Sequence, residues 1–350
     1  MIDLLSSRLL PILLLVIPML AHAAPAQTTI GFEQGHMPDG TEIGIWYPAD
    51  GKAVRQRLGL YEQEAVPGAS PTGTGLPLVV MSHGSGGSFA GHLDTAEVLA
   101  RAGFVVAALT HPGDNWRDQS RATRLEARPA ALSALVTFML DAWRFHQVIN
   151  PARVGAFGFS SGGFTVLAAA GGVPDLSRMA AHCATHPAFY DCALVKAHPP
   201  VVVSSQAEPP ADPEIGAGKE PERTSGPPSR ATAWPDSRDA RIKAIIVAAP
   251  AMAFTFDRPR LRGVSIPVQL WRAGNDQILP APFYADAVRK ALRRAPEFHN
   301  VAGAGHFDFL APCIADAPKL PICSSAPGFD RAAFHHQFNT DVVRFFKTSM

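Results

Sequence analysis

Residues 153–170 constrain the fold of this chain more than any other stretch. Residues 153–159 form an apolar run of strand length that reads as buried on both faces. Residues 164–170 are small and apolar enough for a helix packed against the same sheet. Between them lies Gly158-Phe159-Ser160-Ser161-Gly162, the G-x-S-x-G pattern of a nucleophile elbow. A serine in such a turn is strained, and a glycine two residues to either side lets strand and helix approach closely. Its hydroxyl is presented at a helix N-terminus, where free N–H groups and the helix dipole favour negative charge. Five residues can match this pattern by chance; the strand–turn–helix setting gives the match its weight.

The remaining chain supplies the sheet that such an elbow needs. Residues 28–32 and 41–47 read as an antiparallel hairpin around the turn signal Pro38-Asp39-Gly40, and residues 50–75 as a polar loop. Strands follow at 77–82 and 104–109, with a helix at 93–102 between them that ends on Gly103. An amphipathic helix spans 125–147. Beyond the elbow, residues 171–240 interrupt the pattern, and 204–239 are a Pro-rich insertion that cannot bury enough surface to fold alone. Strands resume at 243–249, 266–272 and 297–301, with a helix at 280–293 and a closing helix at 332–347. The closing helix carries Phe334, Phe338, Val342, Phe345 and Phe346 on one side. Strands alternating with helices at this spacing imply an α/β domain: a mostly parallel, doubly wound sheet with helices on both faces. Such sheets bind ligands beyond the carboxyl ends of their strands.

Residues 1–23 have the organisation of an export signal peptide. Arg8 precedes an apolar core over 9–20, and Ala21-His22-Ala23 fits an A-x-A cleavage site. Cleavage before Ala24 leaves residues 24–350 as a single domain, secreted or periplasmic. The apolar core is shorter than the roughly 18–20 residues of a membrane span, so no stable membrane insertion is expected once it is removed. The net charge of +1 gives no basic footprint for nucleic acid. The chain has 4 cysteines, an even number that in an exported protein indicates disulfides. The sequence-local pairs Cys183–Cys192 and Cys313–Cys323 would each clip a Pro-containing loop, worth roughly 2–3 kcal/mol on the chain-entropy model. No cysteine–histidine spacing matches a metal site.

A serine hydroxyl becomes a nucleophile at neutral pH only with a base in reach and a third group to orient that base. In doubly wound hydrolytic sheets the chain order is Ser, then Asp or Glu, then His. Here Ser160 is followed by Asp276, just past a strand, and by His306, in the Gly-rich loop after the last strand. Asp257 follows the preceding strand and is the rival acid, while Asp276 could also cap the helix expected near Pro280. Asp308 would face away from His306 in an extended segment. Acyl transfer further needs two donors for the oxyanion, and losing one raises the barrier by about 3–4 kcal/mol. The N–H of Ser161 is the first. The loop His83-Gly84-Ser85-Gly86-Gly87 supplies the second, from Ser85 in preference to Gly84. Phe159, Ser88, Phe89 and Phe307 flank these motifs as the expected lining of the acyl pocket.

Together, residues 81–87, 102–108 and 110–114, the elbow, and the tail residues Cys323, Phe329-Asp330-Arg331 and His335 resemble secreted bacterial relatives of dienelactone hydrolases and platelet-activating-factor acetylhydrolases. The likeness spans most of 28–350 apart from 204–239. It implies an α/β-hydrolase fold and a serine esterase without metal or cofactor, acting on small or short-acyl ester molecules. There are two departures. Dienelactone hydrolases proper use cysteine where this chain has Ser160. The acetylhydrolases place their acid near Ala249-Pro250-Ala251-Met252, which contains no carboxylate here, leaving Asp276. The same triad would also serve an acyltransferase or a peptidase, and a non-catalytic binding protein could occupy the same scaffold. The oligomeric state is left open by the sequence.

Overall fold

A computed structural model describes residues 29–197 and 234–350. The expected signal peptide and nearly all of the Pro-rich insertion lie outside the described residues. The strands are β1 (Ile30–His36), β2 (Glu42–Pro48), β3 (Val54–Leu58), β4 (Tyr61–Pro67), β5 (Leu76–Ser82), β6 (Val105–Leu109), β7 (Ile149–Phe159), β8 (Ile242–Ala248), β9 (Val268–Ala273) and β10 (Glu297–Val301). The helices are α1 (Leu93–Arg101), α2 (Ala127–Asp141), α3 (Ser161–Ala169), α4 (Arg178–Thr185), α5 (Tyr190–Ala197), α6 (Ala285–Ala291) and α7 (Arg331–Ser349).

All ten described strands join one sheet in the order β10-β9-β8-β7-β5-β6-β2-β1-β4-β3. From β6 to β10 neighbouring strands run parallel, whereas β2 is antiparallel to both β6 and β1. The chain leaves β5 toward β6 on one side and returns to β7 on the other. The order therefore reverses between β5 and β7, and sheets of this kind bind ligands beyond the carboxyl ends of the strands at such a switch point.

Side chains alternate along each parallel strand, so successive residues feed two different cores. Leu78, Val80, Ala156, Ile245 and Val247 pack with α2, α3 and α6 residues such as Leu132, Phe164 and Val288. Val79, Met81, Phe157, Ile246 and Ala248 face the other way, against Leu99 of α1 and Phe338, Val342 and Phe346 of α7. In α2 the buried residues Arg128, Leu132, Leu135, Val136 and Met139 keep helical spacing.

Three local expectations are corrected. Residues 50–75 are not a featureless loop: β3 and β4 form an antiparallel hairpin in which Tyr61, Gln63 and Ala65 point inward and Glu62 and Glu64 outward. The polar Gln63 obscured this alternation, and it is tolerated inside because its side-chain oxygen accepts from Trp46 Nε1 at 2.7 Å. The helix expected over 280–293 is confined to α6, because Pro282 disfavours the helical region for Ala281 and the helix can start only beyond it. The helix expected over 125–147 ends at Asp141, and a short 3₁₀ turn at His146–Val148 leads into β7.

Both expected disulfides are present, Cys183–Cys192 linking α4 to α5 and Cys313–Cys323 closing a surface loop before α7. No helix among the described residues is long and apolar enough to cross a membrane.

The elbow depends on two missing side chains. A Cβ on Gly162 would sit 1.9 Å from the carbonyl oxygen of Ser82, and one on Gly158 would sit 2.0 Å from that of Gly162. Neither oxygen can yield, because both belong to packed backbone. Gly162→Ala is therefore expected to cost more than about 3 kcal/mol, in the range of severe overpacking and backbone strain. A urea-unfolding midpoint close to that of the parent protein would refute this.

Candidate active site

Ser160 follows β7 with φ 56° and ψ −119°, a conformation that side-chain-bearing residues seldom adopt. Surrounding backbone holds it there. Its N–H donates to the Ala248 carbonyl at 2.9 Å, and its own carbonyl accepts from Phe164 N–H at 3.2 Å and Ala251 N–H at 3.0 Å. The hydroxyl thus stands at the N-terminus of α3. Ser161 is the first residue of that helix, so its N–H belongs to the turn with no intrahelical acceptor.

Three side chains meet beyond the strand ends. Asp276 follows β9, and its Oδ1 accepts from the amides of Ile278 at 2.9 Å and Leu279 at 2.7 Å. That arrangement turns Oδ2 toward His306, whose Nδ1–H donates to it at 2.9 Å. With the proton on Nδ1, Nε2 is free to accept from the Ser160 hydroxyl, 3.0 Å away. Ser160 and His306 are each 5 % exposed, so the pair is sheltered from bulk water yet reachable. Phe159 lies under the imidazole with ring centroids 4.8 Å apart, and Phe307 meets its edge at 5.4 Å.

The rival carboxylates are occupied elsewhere. Asp257 pairs with Arg178 and accepts from Arg260 N–H. The segment around Asp308 is not extended but a 3₁₀ turn, His306–Phe309, in which the Asp308 carboxylate accepts from Gly305 N–H at 2.8 Å and from Ser325 Oγ. Asp308 thereby braces the loop that presents His306. His335 of α7 adds support from behind. Its Nε2 donates to the Asp308 carbonyl at 2.8 Å, and its Nδ1 bonds Asp94 at 2.6 Å.

The loop after β5 runs beside the serine. Gly84 lies against it, and a Cβ there would be 3.1 Å from the Ser160 Cβ and 3.2 Å from the Phe159 ring. The Ser85 hydroxyl donates to Asp114 Oδ1 at 2.6 Å. His83 donates from Nδ1 to the Gly84 carbonyl and accepts from His111 N–H on Nε2. Burial holds it neutral, with its pKa pushed down to about 3. Of the four expected pocket residues, Phe89 is turned away and packs with Phe32 and Trp46. Ser88 caps the short turn Phe89–His92, while Phe307 is half-buried beside the imidazole.

One acidic neighbour was not anticipated. The segment 249–252 has no carboxylate of its own, but α5 delivers Asp191, whose Oδ2 accepts from Met252 N–H at 3.0 Å. Asp191 is fully buried against Tyr284 and within the electrostatic reach of His306 and Asp276. No local signal marks it beyond its place next to Cys192. Burial is the main cause that lifts its pKa from 3.8 to about 6.

No family model matches the chain. One curated relative, "Putative esterase NocK" from Nocardia uniformis subsp. tsuyamanensis, is 30 % identical over 125 residues, covering 35 % of this chain and 36 % of the relative. The matched part is thus about a third of that protein. Among solved structures, a ferulic acid esterase from Streptomyces cinnamoneus superposes with a TM-score of 0.55 at 16 % identity, over 94 % of this chain and 92 % of that one. The chain has the α/β-hydrolase fold.

The buried Asp191 has a thermodynamic consequence. A carboxyl whose folded pKa is raised costs nothing where it is protonated in both states, below about pH 4, and its full penalty where it is ionised in both, above about pH 6. Asp191→Asn keeps the acceptor for Met252 N–H. It is expected to stabilise by on the order of 3 kcal/mol near pH 7.5, a gain that disappears as the pH falls to about 4. Thermal unfolding of both proteins across this range checks it; a gain independent of pH would contradict the assignment.

Proposed function

We propose that this protein is an exported serine hydrolase that cleaves small or short-acyl carboxylic esters. The observation that carries the reading is the unbroken chain of hydrogen bonds from Asp276 through His306 to Ser160, set at the carboxyl ends of β9, β10 and β7. The esterase names of both relatives support it. The leader at 1–23 and the two disulfides support export, since disulfides persist in oxidising compartments. The likeness to dienelactone hydrolases and platelet-activating-factor acetylhydrolases supports the preference for small esters.

The reaction follows from the hydrogen-bond directions. Ser160 Oγ attacks the ester carbonyl carbon as its proton passes to His306 Nε2. Asp276 keeps its bond to Nδ1–H and stabilises the imidazolium that forms. The amides of Ser161 and Ser85 receive the oxyanion. Collapse of the tetrahedral adduct expels the alcohol, which takes the proton from Nε2 and leaves an acyl-Ser160 ester. Water then gives a proton to Nε2 as its oxygen attacks the acyl carbon, and release of the acid returns the proton to Ser160.

Ser160→Ala is expected to lower kcat/KM for p-nitrophenyl acetate by about 10⁴-fold or more, and Asp276→Asn by about 10³–10⁴-fold, with unchanged circular dichroism. A fluorophosphonate probe should label Ser160 in the parent protein and fail to label His306→Ala. Hydrolysis that survives in Ser160→Ala would overturn the reading.

A further inference from the structure

We infer that the buried ion pair Arg128–Asp114 is a positioning clamp that sets the oxyanion loop 83–87 against the nucleophile helix. The inference rests on the esterase reading and concerns residues that touch neither the substrate nor the triad.

The pair joins three parts of the site. Arg128 projects from α2, and both its side chain and that of Asp114 are 3 % exposed. Its Nη1 donates to Asp114 Oδ2, its Nη2 to the carbonyl of His83, and its Nε to Thr165 Oγ1 at 3.1 Å. Thr165 lies on α3, and its hydroxyl donates to the Ser161 carbonyl at 2.7 Å. The guanidinium therefore touches the loop at one end and, through Thr165, is tied to the first turn of the nucleophile helix at the other. Asp114 grips the loop further along, where its Oδ1 accepts from Ser85 Oγ at 2.6 Å and Gly86 N–H at 3.1 Å. Residues 83, 85 and 86 are thus each tied to the pair. The two amides that receive the oxyanion, those of Ser85 and Ser161, belong to the two parts it connects.

An ion pair this deep is a poor way to gain stability. Its desolvation cost offsets most of its attraction, and apolar replacement of both partners is often neutral or stabilising. What it provides is direction. Each atom of the fork and of the carboxylate has its own partner, so the loop cannot slide along α3 without breaking several charge-assisted bonds. An oxyanion site depends on such alignment, because its donors must already point where charge will develop.

The test compares the parent protein with Ser85→Ala, which removes one loop contact and strands no charge, and with the paired Arg128→Met/Asp114→Leu. For both variants kcat on p-nitrophenyl acetate is expected to fall about 10–100-fold with KM changed less than about threefold. The inhibition constant of a trifluoromethyl ketone analogue should weaken by the same factor as kcat, and the paired variant should keep its Tm within about 5 °C. Unchanged kcat and analogue affinity in Ser85→Ala would overturn the clamp, as would a fall confined to KM. If the paired variant does not fold, Ser85→Ala decides alone. An inactive parent protein that no fluorophosphonate labels would instead refute the esterase reading itself.

Discussion

The backbone of Ser160 sits at φ 56°, where a residue with a Cβ costs of order 1–3 kcal/mol, and the surrounding architecture is arranged to hold it there. β8 supplies the carbonyl of Ala248 to its N–H, and the turn after β8 supplies the amide of Ala251 to its carbonyl. Gly162 lets the helix start come within contact of the Ser82 carbonyl at the end of β5. The strain is thus borne by β5, β7, β8 and α3 together. Relaxing the turn would disturb the centre of the sheet, which is why one residue can be kept in so unfavourable a conformation.

Around that point the molecule buries several polar and titratable side chains, among them His83, His92, His111, Asp114 and Arg128. Burial keeps His83 and His92 neutral, with pKa values pushed down to about 3 and 4, and it keeps Asp191 protonated to a higher pH than a surface carboxyl. Each such group costs free energy unless it is hydrogen-bonded, and most of those next to the serine are. His83 uses both ring nitrogens, Asp114 binds through both oxygens, and Asp276 fills one oxygen with backbone amides before offering the other to His306. A site surrounded by satisfied dipoles in a low dielectric is already organised before any charge develops in it.

Much of the frame was legible because it is written in local patterns. Apolar runs of strand length, glycines at fixed offsets from Ser160, and the order Ser, Asp, His identify a doubly wound sheet and the residues at its strand ends. The hairpin β3–β4 escaped because its inward-facing Gln63 is polar, and only the indole of Trp46, distant in sequence, makes that position tolerable. Asp191 escaped for a related reason. Its partner is a backbone amide of Met252, 61 residues away, and a carboxylate bound to a remote amide leaves no spacing to read. The clamp Arg128–Asp114 joins a loop to a helix interior and gives no motif either.

The sequence by itself thus pointed to the class of fold, the strained serine turn and three candidate residues past the ends of β7, β9 and β10, since each follows from periodicity, turn chemistry or chain order. The tertiary structure decided which nitrogen of His306 faces Ser160, that Asp276 rather than Asp257 reaches it, and which buried charges hold the neighbouring loop. Those outcomes depend on distances between segments far apart along the chain. Such distances are set by how the sheet, its helices and its loops pack together, and no local pattern of residues encodes them.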